Sequence, residues 1–240
     1  MKTEKVYSIN FDFRKQEQRR ILEYMQRRGY KLLGFKGAES DGQVEGVPVW
    51  LSVPYIRMSG EVKNICQSRY KVYYMEASPA ADNSIRMKAL SRAAELGSRV
   101  ILQEDNSFTV EPGAGSEHAV LFINNRAAGS GTITVGLASP VNGAYAPFCA
   151  FKVEPRRTLT MVPNDKICLF ALPTAMRTGT VAARAVTEGT MFEFNAPYNR
   201  VHLEMKQDGD GFTPLSWGLP MKKVHSGDSL VWLMDHHHFH

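Results

Sequence analysis

The chain is poor in the features that usually announce a function. Its 240 residues include only three cysteines, Cys66, Cys149 and Cys168. So low and odd a count excludes a disulfide-stapled scaffold of the secreted kind. No N-x-[ST] sequon occurs, so nothing marks an N-glycosylated surface. Apolar residues never run unbroken for the roughly eighteen positions that a membrane-crossing helix needs. Behind Met1-Lys2-Thr3-Glu4-Lys5 there is no apolar stretch of signal-peptide type. The expectation is a chain that is cytoplasmic at synthesis; release without a signal peptide would leave the same sequence.

Catalytic and cofactor motifs are also missing. There is no phosphate-cradling G-x-x-x-x-G-K-[ST], and Gly129-Ser130-Gly131 does not continue into G-x-G-x-x-G. H-E-x-x-H, C-x-x-C and G-x-S-x-G are absent. His202-Leu203-Glu204 matches half of a zinc-deaminase signature, but no P-C-x-x-C follows. Asp208-Gly209-Asp210-Gly211 looks like a fragment of a calcium loop, yet it lacks the spacing and distal Glu of one and reads as a hairpin turn. The run His236-His237-His238-Phe239-His240 could hold Zn, Cu or Ni through neutral imidazoles, but it also has the form of a terminal tag. Cys149 and Cys168 sit among Phe148, Phe151, Ile167, Leu169 and Phe170, an apolar setting that disfavours the thiolate. Cys66 has Lys63 and Arg69 nearby, with His118, His202 and His225 as the available bases, and still reads as inert. No catalytic residue, cofactor or metal ligand is therefore expected.

What is present is ample material for a core: 43% of residues are hydrophobic and 22% charged. That balance excludes global disorder. Lys plus Arg number 29 against 24 Asp plus Glu, a net of +5. This is too mild for a dedicated nucleic-acid binder. Residues 1–30 alone carry eight Lys/Arg against four Asp/Glu. Such asymmetry marks either a solvated helix face or a contact surface for phosphates or anionic lipid.

Periodicity indicates a mainly β chain. Ile9, Phe11 and Phe13 alternate with polar residues, as in a half-buried strand. The period then changes, and Ile21, Leu22 and Met25 form one stripe of a helix spanning 14–28. Asp12 or Asn10 is expected to cap it, and Gly29 to end it. Strands are expected at 30–35, 47–54 and 70–75, with 37–46 as a glycine-marked loop. Residues 85–96 read as either a short helix or a strand and turn. Ten further strands are expected between 99 and 205, separated by turns such as Ser-Pro-Val-Asn-Gly and Val-Pro-Asn-Asp, and a late one at 229–233. Strands every eight to twelve residues argue for an antiparallel β-sandwich, jelly-roll-like, with the helix at its N-terminal end. One domain covering 1–240 is the first choice. The alternative is an α+β part at 1–105 and a sandwich part at 116–240.

Tyr55, Arg57, Arg69, Tyr70, Tyr73, Tyr74 and Trp217 interleave rings with cations and form the candidate binding surface. The expected function is a non-catalytic recognition module for a glycan, an anionic lipid surface or a protein, as in a lectin-like protein or a membrane-active toxin. The alternatives are a self-assembling coat or inclusion protein, and an enzyme with dispersed site residues.

Overall fold

The alternation at Ile9 and Phe11 builds the strand that closes the molecule. The computed structural model describes residues 6–42, 44, 46–76, 84–194, 199–209, 211–216 and 218–235. In chain order the elements begin with β1 (Val6–Asp12), α1 (Gln16–Arg27), β2 (Tyr30–Ser40), β3 (Val47–Pro48), β4 (Leu51–Pro54) and a 3₁₀ turn (Tyr55–Arg57). Then come β5 (Glu61–Gln67), β6 (Lys71–Met75), β7 (Ala89–Leu90), β8 (Arg99–Leu102), β9 (Phe108–Glu111) and β10 (Val120–Asn124). The hairpin-rich centre holds β11 (Ile133–Val141), β12 (Ala144–Pro147), β13 (Phe151–Val153) and β14 (Thr158–Pro173). The last stretch contains β15 (Val181–Ala182), β16 (Gly189–Glu193), β17 (Arg200–Asp208), β18 (Gly211–Leu215), β19 (Lys222–Val224) and α2 (Leu230–Asp235).

Seventeen of the strands form one large mixed sheet that curls into a nearly closed, barrel-like shape. The expected β-rich class is present. In place of two stacked antiparallel layers, however, two neighbouring pairs run parallel: β1 with β17, and β8 with β10. β1 is the seam. It pairs antiparallel with β5 along Val6–Asp12 and parallel with β17, which turns back into β18 and so reaches β14. Strands from the first hundred residues thus pair with strands from the last hundred, as β2 does with β14. Trp50, Tyr55, Phe11, Phe122, Phe148, Phe151 and Phe192 fill the interior.

Several local expectations need correcting, each for a physical reason. β14 runs unbroken through Val-Pro-Asn-Asp, because the turn residues there make a bulge instead of a reversal: the register against β2 shifts between Pro163 and Ile167. Across from the bulge stands Gly37, where a Cβ would lie 2.0 Å from Asn164 Oδ1. β2 therefore extends to Ser40, into the expected loop. β5 was not expected, because its inward face carries Asn64 and Cys66 instead of large apolar side chains. The segment at 229–233 is helical. Leu230, Leu233 and Met234 point together into a cluster with Leu33, Phe35 and Phe170, and that spacing suits a helix. α1 has Lys15 at its N-cap position with no side-chain cap. Asp12 instead accepts the Arg14 backbone N–H (3.0 Å) and pairs with the Arg14 guanidinium (2.7 Å). Gly29 ends the helix in the left-handed region (φ 67°), as expected. Among the described residues no helix is long and apolar enough to cross a membrane.

Candidate functional site

The four tyrosines of the expected binding surface lie in the core. Tyr55, Tyr70, Tyr73 and Tyr74 are all buried, Tyr55 against Phe13 and Tyr70 against Phe148. The cause is packing on both faces of the sheet: Tyr55, Tyr70 and Tyr74 join the main core cluster, and Tyr73, on the opposite face of β6, joins a second cluster with Ala138 and Ala150. Tyr73 Oη donates to the Cys149 carbonyl (2.7 Å), and burial pushes the Tyr55 and Tyr73 phenols well above their usual range. Arg57 and Arg69 are exposed, and Trp217 lies outside the described residues. The structure therefore does not assemble this set into one face.

A different cluster forms where the sheet forks. β14 holds β16 along Lys166–Phe170, then passes to β18 at Ala171. β16 leads to β19, and β18 leads to β17, so two prongs diverge from one strand. Between them lie two adjoining openings. One, of about 240 Å³, is lined by Lys206, Gln207, Asp208, Thr213, Lys222 and Lys223, among others. The other, of about 470 Å³, includes Tyr30, Glu188, Asp208, Phe212, Lys223 and His225.

Asp208 and Lys223 belong to both openings and join the prongs. Lys223 Nζ lies 2.7 Å from Asp208 Oδ2 and 3.5 Å from Glu188 Oε2. Glu188 also faces His225 Nδ1 at 3.1 Å and accepts the Ser226 backbone N–H at 3.3 Å. The Ser226 N–H, followed by Lys223 and His225, holds the Glu188 carboxyl below the usual carboxylate range. Asp208 foremost, then Glu188, raises Lys223 above the usual lysine range. Both shifts favour permanent charge over proton transfer at neutral pH.

Rings border this charge. Phe212 lies 6.0 Å from Tyr30 and 5.4 Å from Tyr24, centroid to centroid. Burial, the largest cause, raises the Tyr30 phenol, which thus stays a neutral donor and acceptor. Lys222, which lines the smaller opening, has its Nζ 5.6 Å from the ring of Trp232, 49% exposed on α2. The hairpin expected at Asp208–Gly211 is formed, with Asp208 opposite Gly211. Its role as one wall of the fork was not legible, because the facing residues come from β19, separated from it by tertiary pairing alone.

A second charged cluster is internal. The side chain of Lys36 is only 3% exposed, with Nζ 5.5 Å from the Trp50 and Phe148 rings and 5.9 Å from Tyr70. Asp165 Oδ1 is 3.9 Å away, and Asp165 Oδ2 accepts the Tyr7 hydroxyl at 2.8 Å. Asp165 comes from the β14 bulge. A charge in this setting belongs to core architecture, since the adjoining opening is only about 10 Å³.

The three thiols are buried. Burial pushes Cys66 up to about 12, and Cys168 also rises well above its usual value. Among the described residues no group of three His, Cys, Asp or Glu side chains could hold a metal ion. Comparisons with protein-family models, with curated proteins and with solved structures find no match to this chain.

Proposed function

We propose that the protein is a non-catalytic recognition module that takes an acidic glycan in the fork between β16–β19 and β17–β18. One observation carries the reading: two adjoining openings share an Asp208–Lys223–Glu188 charge clasp, with Phe212 lining the larger and Lys222, whose ammonium lies over the Trp232 ring, lining the smaller. Sugars present hydroxyls in adjacent pairs and carbon–hydrogen faces. Carboxylates, amides and lysines bond the former, and exposed rings cover the latter. The larger opening falls in the range of ligand sites, roughly 300–1,000 Å³. The smaller carries Lys206, Lys222 and Lys223 against Asp208. That surplus of positive charge favours a sugar bearing a carboxylate or sulfate. Pairing between early and late strands supports treating 1–240 as one working domain.

The competing use of such a cleft is glycoside hydrolysis, since Glu188 and Asp208 both stand on Lys223. Hydrolysis needs one carboxyl with a raised pKa as general acid. Glu188 is shifted the other way, so binding remains the preferred reading. An array of sialylated, sulfated and neutral glycans, followed by calorimetry on a hit, tests the proposal. Binding to acidic members that is lost in Lys223→Ala and Trp232→Ala supports it. Absence of any acidic-glycan binding, or binding indifferent to both substitutions, refutes it. Release of reducing sugar from the bound glycan would move the assignment to an enzyme.

A further inference from the structure

The basic helix takes no part in the clasp, and its outer face carries charge that no described carboxylate pairs with. α1 buries Gln18, Leu22 and Met25, with Gln18 anchored both ways to the Met205 backbone at 2.9 Å. Arg20, Glu23 and Arg27 therefore occupy the opposite face, at helical spacing. The described cations just before the helix are spoken for: Arg14 pairs with Asp12 and Glu61, and Lys15 with Glu204. Arg19, Arg20, Arg27 and Arg28 have no ion pair with any described residue. The Arg19 guanidinium bonds only the Arg14 carbonyl (3.2 Å), and Arg28 lies over the Tyr24 ring at 5.7 Å.

Beside the helix stands the 3₁₀ turn. Gln26 Nε2 donates to the carbonyls of Tyr55 (3.2 Å) and Met58 (2.9 Å), clamping the turn to the helix flank. Buried Tyr55 anchors it from below. Ile56 then projects 68% exposed, with Arg57 exposed next to it. This surface sets five arginines against two glutamates, Glu17 and Glu23, around a single aliphatic prong.

We propose that α1 and the Tyr55–Arg57 turn dock the protein on an anionic lipid bilayer. Arginines reach headgroup phosphates, and an aliphatic side chain at the same level gains by entering the boundary with the acyl chains. A nucleic acid would use the arginines but would leave Ile56 in water, which is why the bilayer is the better fit. The inference stands independently of the cleft, whose clasp residues are not among these.

Flotation of the full chain with neutral phosphatidylcholine vesicles, and with vesicles containing about a third phosphatidylserine, is the test. Binding to the anionic vesicles alone is expected, falling steeply as salt rises from about 0.1 to 0.5 M. Each arginine near the surface contributes about fivefold, so Arg20→Gln with Arg27→Gln should weaken binding about 25-fold. Ile56→Ser should weaken it about tenfold. Unchanged glycan binding by these variants keeps the two readings separate and shows that they fold. Equal binding to neutral vesicles, no binding to anionic ones, or indifference to the arginine substitutions overturns the proposal. So does retention of duplex DNA in preference to vesicles with Ile56→Ser without effect.

Discussion

The buried pair Lys36–Asp165 makes the sharpest test of how this interior is held. Its partners are unequal: the Lys36 side chain is 3% exposed and that of Asp165 is 22%. Removing the Asp165 charge strands a dry ammonium, whereas removing the Lys36 charge leaves a carboxylate that keeps other contacts and some water. At 3.9 Å the pair's attraction is about 4 kcal/mol for an effective dielectric near 20. The rings of Trp50, Tyr70 and Phe148 supply about 2 kcal/mol more to the cation. Opposing these is a desolvation penalty of several kcal/mol per ion. Asp165→Asn leaves that penalty on Lys36 with only the rings to offset it, and should cost about 3 kcal/mol. Lys36→Met keeps the apolar stem, and Asp165 retains some water and the Tyr7 hydroxyl, so this change should cost about 1.5 kcal/mol. The double variant removes both charges and should fall within about 1 kcal/mol of the parent, far from additive. Urea unfolding at constant m-value, on all four proteins, measures the cycle. Additive costs would mean that the two groups do not interact. A larger loss in Lys36→Met than in Asp165→Asn would mean that the rings alone sustain the ammonium, and the desolvation argument would fail.

Other expectations follow from the same packing. A Cβ on Gly136 would sit 1.9 Å from the Cys149 carbonyl oxygen, whereas one on Gly143 meets nothing within 4 Å. Gly136→Ala should therefore cost about 3 kcal/mol or more by overpacking. Gly143→Ala should cost only about 1 kcal/mol, for its left-handed backbone; equal losses in urea unfolding would refute the contrast. None of the three buried thiols should react with a disulfide reagent at about pH 8 until denaturant is added, and a fast-reacting native thiol would contradict the burial of Cys66 and Cys168. The Glu188 carboxyl is depressed in the folded state, so its contribution is complete above the ordinary value of 4.5 and disappears as pH falls through the lower folded value. Melting curves of the parent and Glu188→Gln should therefore differ at neutral pH and converge in acid; a constant offset down to the acid limit would show that the carboxylate's charge is not what matters.

Features carried by consecutive residues were legible from the chain alone. Alternation placed β1 and the 3.6-residue stripe placed α1, while the turn read at Ser-Pro-Val-Asn-Gly narrows to Asn142-Gly143, both with positive φ, because β11 runs through Val141 and pairs with β12, which was not expected. Val-Pro-Asn-Asp was read for its turn propensity, yet turn residues within a long strand form a bulge when β2 pairs on both sides of them. The tyrosines at 70, 73 and 74 carried the chemistry of a binding face, but that chemistry is the same in a core. Whether both faces of a strand are covered depends on neighbours that local sequence does not name.

Composition, strand spacing and the single basic helix thus determined that the chain is β-rich, with its excess charge at the N-terminal end. Strand order was settled only in three dimensions. The seam at β1, the fork at Ala171 and the meeting of Asp208 with Lys223 and Glu188 all join residues far apart in the chain. Hydrophobic periodicity records which side of an element is buried and carries no term for which element covers it. A site assembled across such pairings becomes visible only when the sheet has closed.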